Sequence, residues 1–418
     1  MKSHLHRHTF MMLGVGLLGG LGVLGMKTWL WPLVSTAQTC DPLPQQDVTK
    51  RLERLGTPFA TGQYAKSQPY ARNVWVMYPF QNQVYLGHGD SNANQGPIPL
   101  WFFDPQSQQF QFNFVAPEEQ IRDFQRINAT LYTPGIDSRE SWKFGNIYRF
   151  QKRRWQKVRT LPGGVHVWSI QGFKRQLWSV IRRRDNRGYL LRSANNGRTW
   201  QDVQTLRPDP ALMAQFEGSL YVFPGGSPWQ IDTTLRPIHR TDLERTQLFP
   251  DHSQATQITK VVPYQSRLAY LGHLSRYVSY SAQGAKVLNR EDPHLQPPGL
   301  FVARSLKPNQ TQVRRISLNP NEVPWDLVAT RQGLYVLTSE RQQRTGQQRF
   351  VNRVRQATDQ DLWCEVLTFE SDTFARSFTQ LQGKWYFGLG TDYGAAYGSK
   401  SYTQTAHPQA GTILRTQD

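Results

Sequence analysis

Cysteine, helical periodicity and metal-ligand spacing are all scarce in this sequence. The 418 residues include only two cysteines, Cys40 and Cys364, which excludes a disulfide-rich scaffold and a four-cysteine zinc site. Apolar residues in the body of the chain alternate with a period of two, which excludes a helical protein. No His, Asp or Glu cluster has the spacing of a metal site, and no motif carries a catalytic mechanism. We therefore predict no metal, no cofactor and no assigned catalytic residue.

Acidic residues are also few. Lys and Arg total 49 against 30 Asp and Glu, which gives a net charge of +19. A charge of this size bears on partners rather than on the fold. It favours a protein with an acidic surface, an anionic polymer or an anionic membrane surface. Nucleic acid is not expected, because the chain carries an export segment and no nucleic-acid-binding motif.

Aromatic residues are abundant, and a Tyr or Trp in a short apolar strand recurs along the chain. The spacings between successive occurrences are 47, 46, 43, 49, 65 and 51 residues. The positions are Tyr85, Tyr132, Trp178, Tyr221, Tyr270, Tyr335 and Tyr386. Periods of this size built only from strands are typical of a propeller. The sequence predicts an all-β, seven-bladed β-propeller of four-stranded antiparallel blades. Its innermost strands are expected near Trp75, Phe124, Val167, Met213, Val261, Leu327 and Phe374.

The seventh repeat is one strand short. Its final strand, GTILRT at 411–416, resembles the third strand of other blades. An unpaired edge there would leave the ring open and prone to aggregation. We expect an N-terminal strand within residues 55–65 to pair with 411–416 and close the ring. The predicted organisation is a signal peptide or N-terminal anchor at 1–37, a segment supplying the closing strand at 38–70, and the propeller at 71–418.

The N-terminus has the features of an export segment. A basic start is followed by an apolar run from Phe10 to Met26 and by small residues before Ala37. The run is long for a signal peptide and short for a membrane helix, so a cleaved signal peptide, an uncleaved anchor and a lipoprotein remain open. The expected location is periplasmic, lumenal or at the cell surface. Because cysteines pair outside the cytosol, and because Cys40 and Cys364 would both lie at the outer rim near blade six, we predict a Cys40–Cys364 disulfide.

The turn after the third strand of blade three resembles a known motif. Residues 193–200 read SANNGRTW, which is similar to the S-x-D-x-G-x-T-W pattern of Asp-box (BNR, sialidase-like) propellers, with Asn195 in place of the Asp. In that superfamily the motif is structural and occurs in sialidases and in non-enzymatic propellers alike. The resemblance therefore implies a fold rather than a reaction. The early Arg-Ile-Pro signature of sialidases has no counterpart in the sequence.

Binding residues of a propeller usually lie on the loops around one mouth of the channel. These are the loops between the second and third strands and the loops that enter the first strand. Polar residues at equivalent places on them are His88, Asp90, Asp137, His166, His273 and Asp392. We interpret them as candidate binding residues, with turn capping as the alternative.

Two functional hypotheses follow. The first is an exported, non-catalytic binding or scaffold propeller that recognises a protein or an anionic partner. The positive charge and the lack of an enzymatic signature favour it. The alternative is a carbohydrate-active enzyme, a glycosidase or lyase, with an acidic site on the same mouth. Paired carboxylates roughly 5–9 Å apart would support that alternative.

Overall fold

The computed structural model describes Cys40 and residues 46–60, 69–91, 96–207, 210–252, 257–273, 278–281, 284–287, 299–344, 347–391 and 407–417. Over these residues the protein is an all-β propeller of seven four-stranded antiparallel blades, which confirms the predicted fold. The helical elements described are one α-helix, Arg245–Leu248, and two 3₁₀ turns, Thr49–Arg51 and Pro69–Arg72. Among the residues described, no helix has the length and apolar character needed to span a membrane.

The strands of each blade are lettered A to D from the channel outwards. Blade 1 comprises Val76–Phe80, Gln83–Gly87, Ile98–Asp104 and Gln109–Ala116. Blade 2 comprises Gln125–Ile127, Thr130–Pro134, Phe144–Gln151 and Arg154–Pro162. Blade 3 comprises Gly164–Phe173, Gln176–Arg183, Gly188–Ser193 and Gln201–Leu206. Blade 4 comprises Leu212–Phe216, Ser219–Phe223, Trp229–Ile231 and Pro237–His239.

The remaining blades follow the same plan. Blade 5 comprises Gln257–Tyr264, Arg267–His273, Gly299–Ser305 and Gln312–Ile316. Blade 6 comprises Glu322–Ala329, Leu334–Arg344, Gln347–Ala357 and Trp363–Ser371. Blade 7 comprises Ala375–Leu381, Lys384–Leu389, Ile413–Thr416 and Leu52–Gly56. Short strands are added to three blades. Gln46–Asp47 pairs in parallel on the rim of blade 6, and Val278–Ser281 with Gly284–Val287 forms a hairpin in blade 5. Ile136–Ser138 pairs with strand A of blade 3, and Glu118–Gln120 pairs with Ile136–Ser138.

The repeating aromatic residues lie in strand B and hold neighbouring blades together. All seven are buried, with at most 8% of each exposed. Tyr85 of blade 1 contacts Trp155 of blade 2, with ring centroids 5.9 Å apart. Tyr386 of blade 7 contacts Phe103 of blade 1 at 5.9 Å. A bulky ring at this position removes a large apolar area from water between two sheets, which explains why the period is visible in the sequence.

The ring is closed by an N-terminal strand. Leu52–Gly56 pairs antiparallel with Ile413–Thr416 as the outermost strand of blade 7. Arg415 also donates to the Glu53 carboxylate across the seam, at 2.5 Å. The predicted span of 55–65 begins three residues after the start of the observed strand, so only Leu55 and Gly56 of that span belong to it. The chain turns at 57–60, and the buried Phe59 side chain packs on the ring of His88 instead of continuing the edge.

The N-terminal segment reaches the rim of blade 6 before it closes blade 7. Gln46 and Asp47 pair in parallel with Leu367 and Thr368 of strand D. Cys40 forms a disulfide with Cys364 of the same strand, with Cα atoms 5.6 Å apart. The residues before the closing strand are therefore fixed to the adjacent blade by one covalent bond and a short ladder.

The Asp-box-like turn of blade 3 is capped by its own side chains. Ser193 Oγ accepts the N–H of Gly197 at 2.9 Å. Asn195 Oδ1 accepts the N–H of Thr199 at 2.9 Å. Gly197 has a φ of +80°, where a glycine avoids the steric cost of a side chain. The Asn therefore performs the capping that an Asp would perform, without its negative charge.

The disulfide makes a testable contribution to stability. We expect Cys40→Ser/Cys364→Ser to lower the free energy of unfolding by about 2–5 kcal/mol, because a loop of 324 residues is no longer closed in the unfolded chain. Urea denaturation of the variant beside the oxidised and the reduced wild type measures this. The reduced wild type should match the variant; an unchanged midpoint in both would contradict a stabilising role.

Candidate functional site

A channel runs between the innermost strands of the seven blades. It has a volume of about 1700 Å³. We call the end reached by the loops into strand A the upper mouth; its lining includes Trp75, Arg122, His166, Arg182 and Arg376. The other end, at the A–B turns, is the lower mouth and includes Asn82, Arg331 and Gln382. Residues from all seven blades line this channel.

Tryptophan and arginine occupy one equivalent position around the upper mouth. The position lies three residues before the strand-A partner of the repeating aromatic. In blades 1, 2, 3, 6 and 7 it is occupied by Trp75, Arg122, Trp168, Trp325 and Arg376. We call these five residues the Arg–Trp belt. Blades 4 and 5 have Ala211 and Ile258 at this position instead.

Backbone irregularities place three members of the belt. The ladder between strands A and B shifts between Val167 and Ser169, between Pro324 and Asp326, and between Ala375 and Ser377. The extra residue of each bulge is Trp168, Trp325 or Arg376. A β-bulge bends a strand and redirects a side chain, and such bulges recur beside binding sites.

Four members of the belt contact one another, and the fifth, Trp168, packs against His166 with ring centroids 4.6 Å apart. The guanidinium carbon of Arg376 lies 3.8 Å from the centre of the Trp75 ring and 5.7 Å from that of Trp325. The guanidinium carbon of Arg122 lies 4.6 Å from the centre of the Trp75 ring. The Trp75 indole N–H donates to Gly89 O at 2.8 Å, and that of Trp325 donates to Ser339 Oγ at 2.6 Å. These bonds fix the rings, and the rings in turn orient the guanidinium planes.

Blade 3 adds a histidine and an arginine to the mouth, and the added strand Ile136–Ser138 contributes a carboxylate. His166 Nε2 lies 2.9 Å from Arg182 and 3.6 Å from Asp137 Oδ2. Burial, together with the charges of Arg182 and Arg122, lowers the pKa of His166 to about 3. Burial raises the pKa of the Asp137 carboxyl, against the opposing effect of Arg182. His166 is therefore neutral at physiological pH and able to accept a hydrogen bond from Arg182.

Two further carboxyls lie beneath this edge of the mouth. Glu118 is 1% exposed and accepts from Tyr148 OH at 2.7 Å and from Asn146 at 2.5 Å. Glu119 is 6% exposed. Burial raises the pKa of each to about 7; nearby Asp137 adds to both shifts. Glu118 thereby holds Asn146 and Tyr148 beneath the mouth, and neither carboxyl belongs to the channel lining.

An ion pair inside the channel connects three blades. Lys260 Nζ of blade 5 lies 2.8 Å from Asp326 Oδ1 of blade 6. The same carboxylate accepts the N–H of Leu327 at 2.9 Å and that of Phe378, in blade 7, at 3.2 Å. With its oxygens satisfied by these donors, Asp326 is part of the framework rather than a group available to a ligand.

The six residues predicted at the mouth lie in different environments. Asp137 and His166 lie together and line the channel. His88 and Asp90 are fully buried rather than exposed on a loop; His88 stacks on Phe59 with ring centroids 4.2 Å apart. The backbone of His273 ends strand B of blade 5, but its side chain and all of Asp392 lie outside the described residues.

Sequence reasoning missed the Arg–Trp belt. A signal for it was present, because the five residues keep a constant offset from the repeating aromatic once strands A and B are paired. Trp75, Trp168 and Trp325 resemble core residues when strand A is taken as a regular strand. The sequence pattern therefore does not mark them as binding residues. Among the residues described, no cluster of three or more His, Cys, Asp or Glu could hold a metal ion.

Comparison with known proteins finds distant structural likenesses and no family. No protein-family model matches the sequence, and no curated protein matches it. A functionally unknown protein from Desulfotomaculum acetoxidans DSM 771 is 10% identical, with 73% of this chain and 89% of that chain covered and a TM-score of 0.47. A chain of the mitotic checkpoint complex is 10% identical, with 88% and 96% covered and a TM-score of 0.49. A computationally designed protein is 8% identical, with 83% and 96% covered and a TM-score of 0.44. The topology of the described residues defines a seven-bladed propeller whose channel mouth carries an Arg–Trp belt. These likenesses say nothing about its ligand.

The raised pKa of Glu118 predicts a pH dependence of stability. In the folded protein this carboxyl keeps its proton up to pH of about 7, whereas the unfolded chain releases it near pH 4.5. The free energy of unfolding of the wild type should therefore fall as pH rises through this window. Glu118→Gln copies the neutral carboxyl and keeps an oxygen for Tyr148, so the variant should gain up to about 3 kcal/mol relative to wild type between these pH values.

Urea denaturation at a series of pH values tests this expectation. Glu140→Gln is the matched control, because pairing with Lys157 and Arg159 lowers the pKa of the Glu140 carboxyl. Its contribution to stability is lost as pH falls, which is the opposite sign. Parallel pH profiles for wild type and Glu118→Gln would contradict the assignment.

Proposed function

We propose that this protein is an exported, non-catalytic binding propeller whose upper mouth holds anionic groups of a protein or polymer partner. The observation that carries the proposal is the Arg–Trp belt. Five of seven blades contribute Trp or Arg at one position, and bulges aim three of these side chains at the channel. Arg182 adds a third guanidinium to the same lining.

The belt suits an anion for electrostatic reasons. When a guanidinium stacks on an indole ring, its plane lies parallel to the ring. Its N–H donors lie in the guanidinium plane and point outwards, past the edge of the ring. A carboxylate or sulfate entering the mouth meets these donors at a partly buried site, where screening by water is weaker than at the surface. Because the rings already restrict the arginine rotamers, less side-chain entropy is lost when the anion binds.

Export is supported by the Cys40–Cys364 disulfide. Such bonds persist in oxidising compartments outside the cytosol. The apolar N-terminal segment of the sequence agrees with this location. The same proposal includes a relationship to Asp-box propellers, supported by the capped turn at 193–200.

A carbohydrate-active enzyme is the second candidate, and one observation favours it. Asp137 is a carboxyl of raised pKa that lines the channel beside His166 and Arg182. A glycosidase requires a second carboxyl across the scissile bond. Glu118 and Glu119 are buried beneath the mouth. The other carboxyls of the channel lining, Asp123 and Asp326, are held by Gln125 and by Lys260. For this reason the binding function is the stronger proposal.

Loss of one belt arginine tests the binding function. We expect Arg376→Ala to weaken binding of polygalacturonate or polyglutamate by about 10-fold or more, because a charge-assisted hydrogen bond at a partly buried site is lost. Arg331→Ala is the matched control: it removes the same charge from the lower mouth of the same channel and should change affinity less than about twofold. Isothermal titration calorimetry measures both.

Two outcomes would overturn the binding proposal. Equal losses in the two variants would show that net charge alone attracts the polymer. Cleavage of the polysaccharide by wild type, abolished in Asp137→Asn but retained in Arg376→Ala, would establish the enzymatic alternative instead.

A further inference from the structure

The lower face of blades 2 and 3 carries an exposed cluster of cations. They lie in or beside the A–B and C–D turns of the two adjacent blades, on the side opposite the Arg–Trp belt. The cluster, which we call the lower basic patch, consists of Arg126, Lys152, Arg153, Arg154, Lys174, Arg175 and Arg198. Blade-to-blade contact brings the turns together: Gly172 packs against Ile127, and Thr160 of blade 2 donates to Gly197 O of blade 3.

The patch lacks compensating negative charge. The segments that form it, 126–129, 150–155, 173–176 and 193–200, contain no Asp or Glu. Within the described part of the chain, none of the seven cations takes part in an ion pair. By contrast, Arg183 on the opposite face of blade 3 is neutralised by Asp202 at 2.5 Å.

Two turns of the patch place Lys-Arg where the backbone disfavours such residues. Lys152 and Arg153 link strands C and D of blade 2, with φ of 52° and 62°. Lys174 and Arg175 link strands A and B of blade 3, with φ of 48° and 61°. Two-residue hairpins of this kind favour Asn-Gly, because a side chain in the left-handed region meets the backbone.

In three other two-residue turns of the same face the second residue is Asn or Gly. They are Gln81-Asn82 of blade 1, Glu217-Gly218 of blade 4 and Gln382-Gly383 of blade 7. Blade 5 has the neutral pair Gln265-Ser266 instead. Strained residues persist where function requires them. The two Lys-Arg turns therefore keep charge at the expense of turn preference, and the fold alone does not require this.

The motif turn of blade 3 also lacks negative charge. Asn195 caps the turn at 193–200 through its amide oxygen and also donates to Thr199 Oγ1 at 2.8 Å. An Asp, the usual residue of the motif, would place a carboxylate beside Arg198. The amide keeps the capping while leaving the patch without an anion.

We propose that the lower basic patch docks this protein on a membrane surface that contains anionic phospholipid. Protruding hairpin tips match a plane of phosphate headgroups, which presents negative charge without requiring a shaped pocket. Each Lys or Arg brought near such a surface improves binding about fivefold. The upper mouth would then face away from the bilayer, so this inference is independent of what the mouth binds.

Co-sedimentation with vesicles tests the inference in the purified full-length protein. Vesicles of phosphatidylglycerol in phosphatidylcholine are compared with vesicles of phosphatidylcholine alone. The variant Lys152→Asn/Arg153→Gly/Lys174→Asn/Arg175→Gly should partition at least about 100-fold less onto the anionic vesicles. Its thermal midpoint should equal or exceed that of wild type, because Asn-Gly relieves both turns. The apolar N-terminal run is common to all variants and cancels in the comparison.

Two single-purpose variants separate charge from turn geometry. Gln81→Asn/Asn82→Gly relaxes a neutral turn of the same face and should leave partitioning unchanged. Asn195→Asp restores the usual motif residue and should reduce partitioning about fivefold while the turn stays folded. Added salt should release the wild type from anionic vesicles.

Several results would overturn the inference. They are equal partitioning of wild type and the four-residue variant, equal partitioning of wild type onto both vesicle types, and a loss of binding explained by a lower thermal midpoint. Binding of wild type to soluble polygalacturonate but not to vesicles, with the same sensitivity to the four substitutions, would assign the patch to a polyanion instead.

Discussion

Ring closure is the constraint on which the rest of this structure depends. Blades of a propeller pack face to face, so each apolar face needs a neighbour and the series has no natural end. Here the end is removed by pairing Leu52–Gly56 with Ile413–Thr416. The contact of Tyr386 with Phe103 belongs to the same junction between blades 7 and 1. An open seam would expose both a sheet edge and this aromatic interface.

The candidate binding site spans that seam. Arg376 comes from blade 7, whereas the Trp75 ring beneath it comes from blade 1. The geometry of the belt is therefore a property of the closed ring, and no single blade can reproduce it. Among the described residues, blades 4 and 5 carry Ala211 and Ile258 at this position, so the belt is formed by five of the seven blades.

How far the sequence predicts this molecule depends on how burial marks each element. Strand B is predictable because it needs a bulky buried residue in every blade, and the count of seven follows from it. The sequence predicts the closing strand too far along the chain, because the pattern of 52–60 does not show that Phe59 leaves the edge and becomes buried. The sequence also predicts His88 and Asp90 as loop residues, yet the path of the chain buries both. The sequence does not reveal the belt, because a bulge changes the side of strand A that a residue faces. The alternating pattern of the sequence does not show where a bulge occurs.

The seam also orders events during synthesis. Glu53 and its partner Arg415 are separated by 362 positions, so a chain that emerges from its N-terminus delivers one side of the seam first and the other last. The early strand has to wait, unpaired, while seven blades form behind it. A chain interrupted anywhere before residue 413 has no smaller closed ring available to it. Completion of the ring therefore depends on the last strand, and Leu52–Gly56 is an unpaired edge until that strand is made.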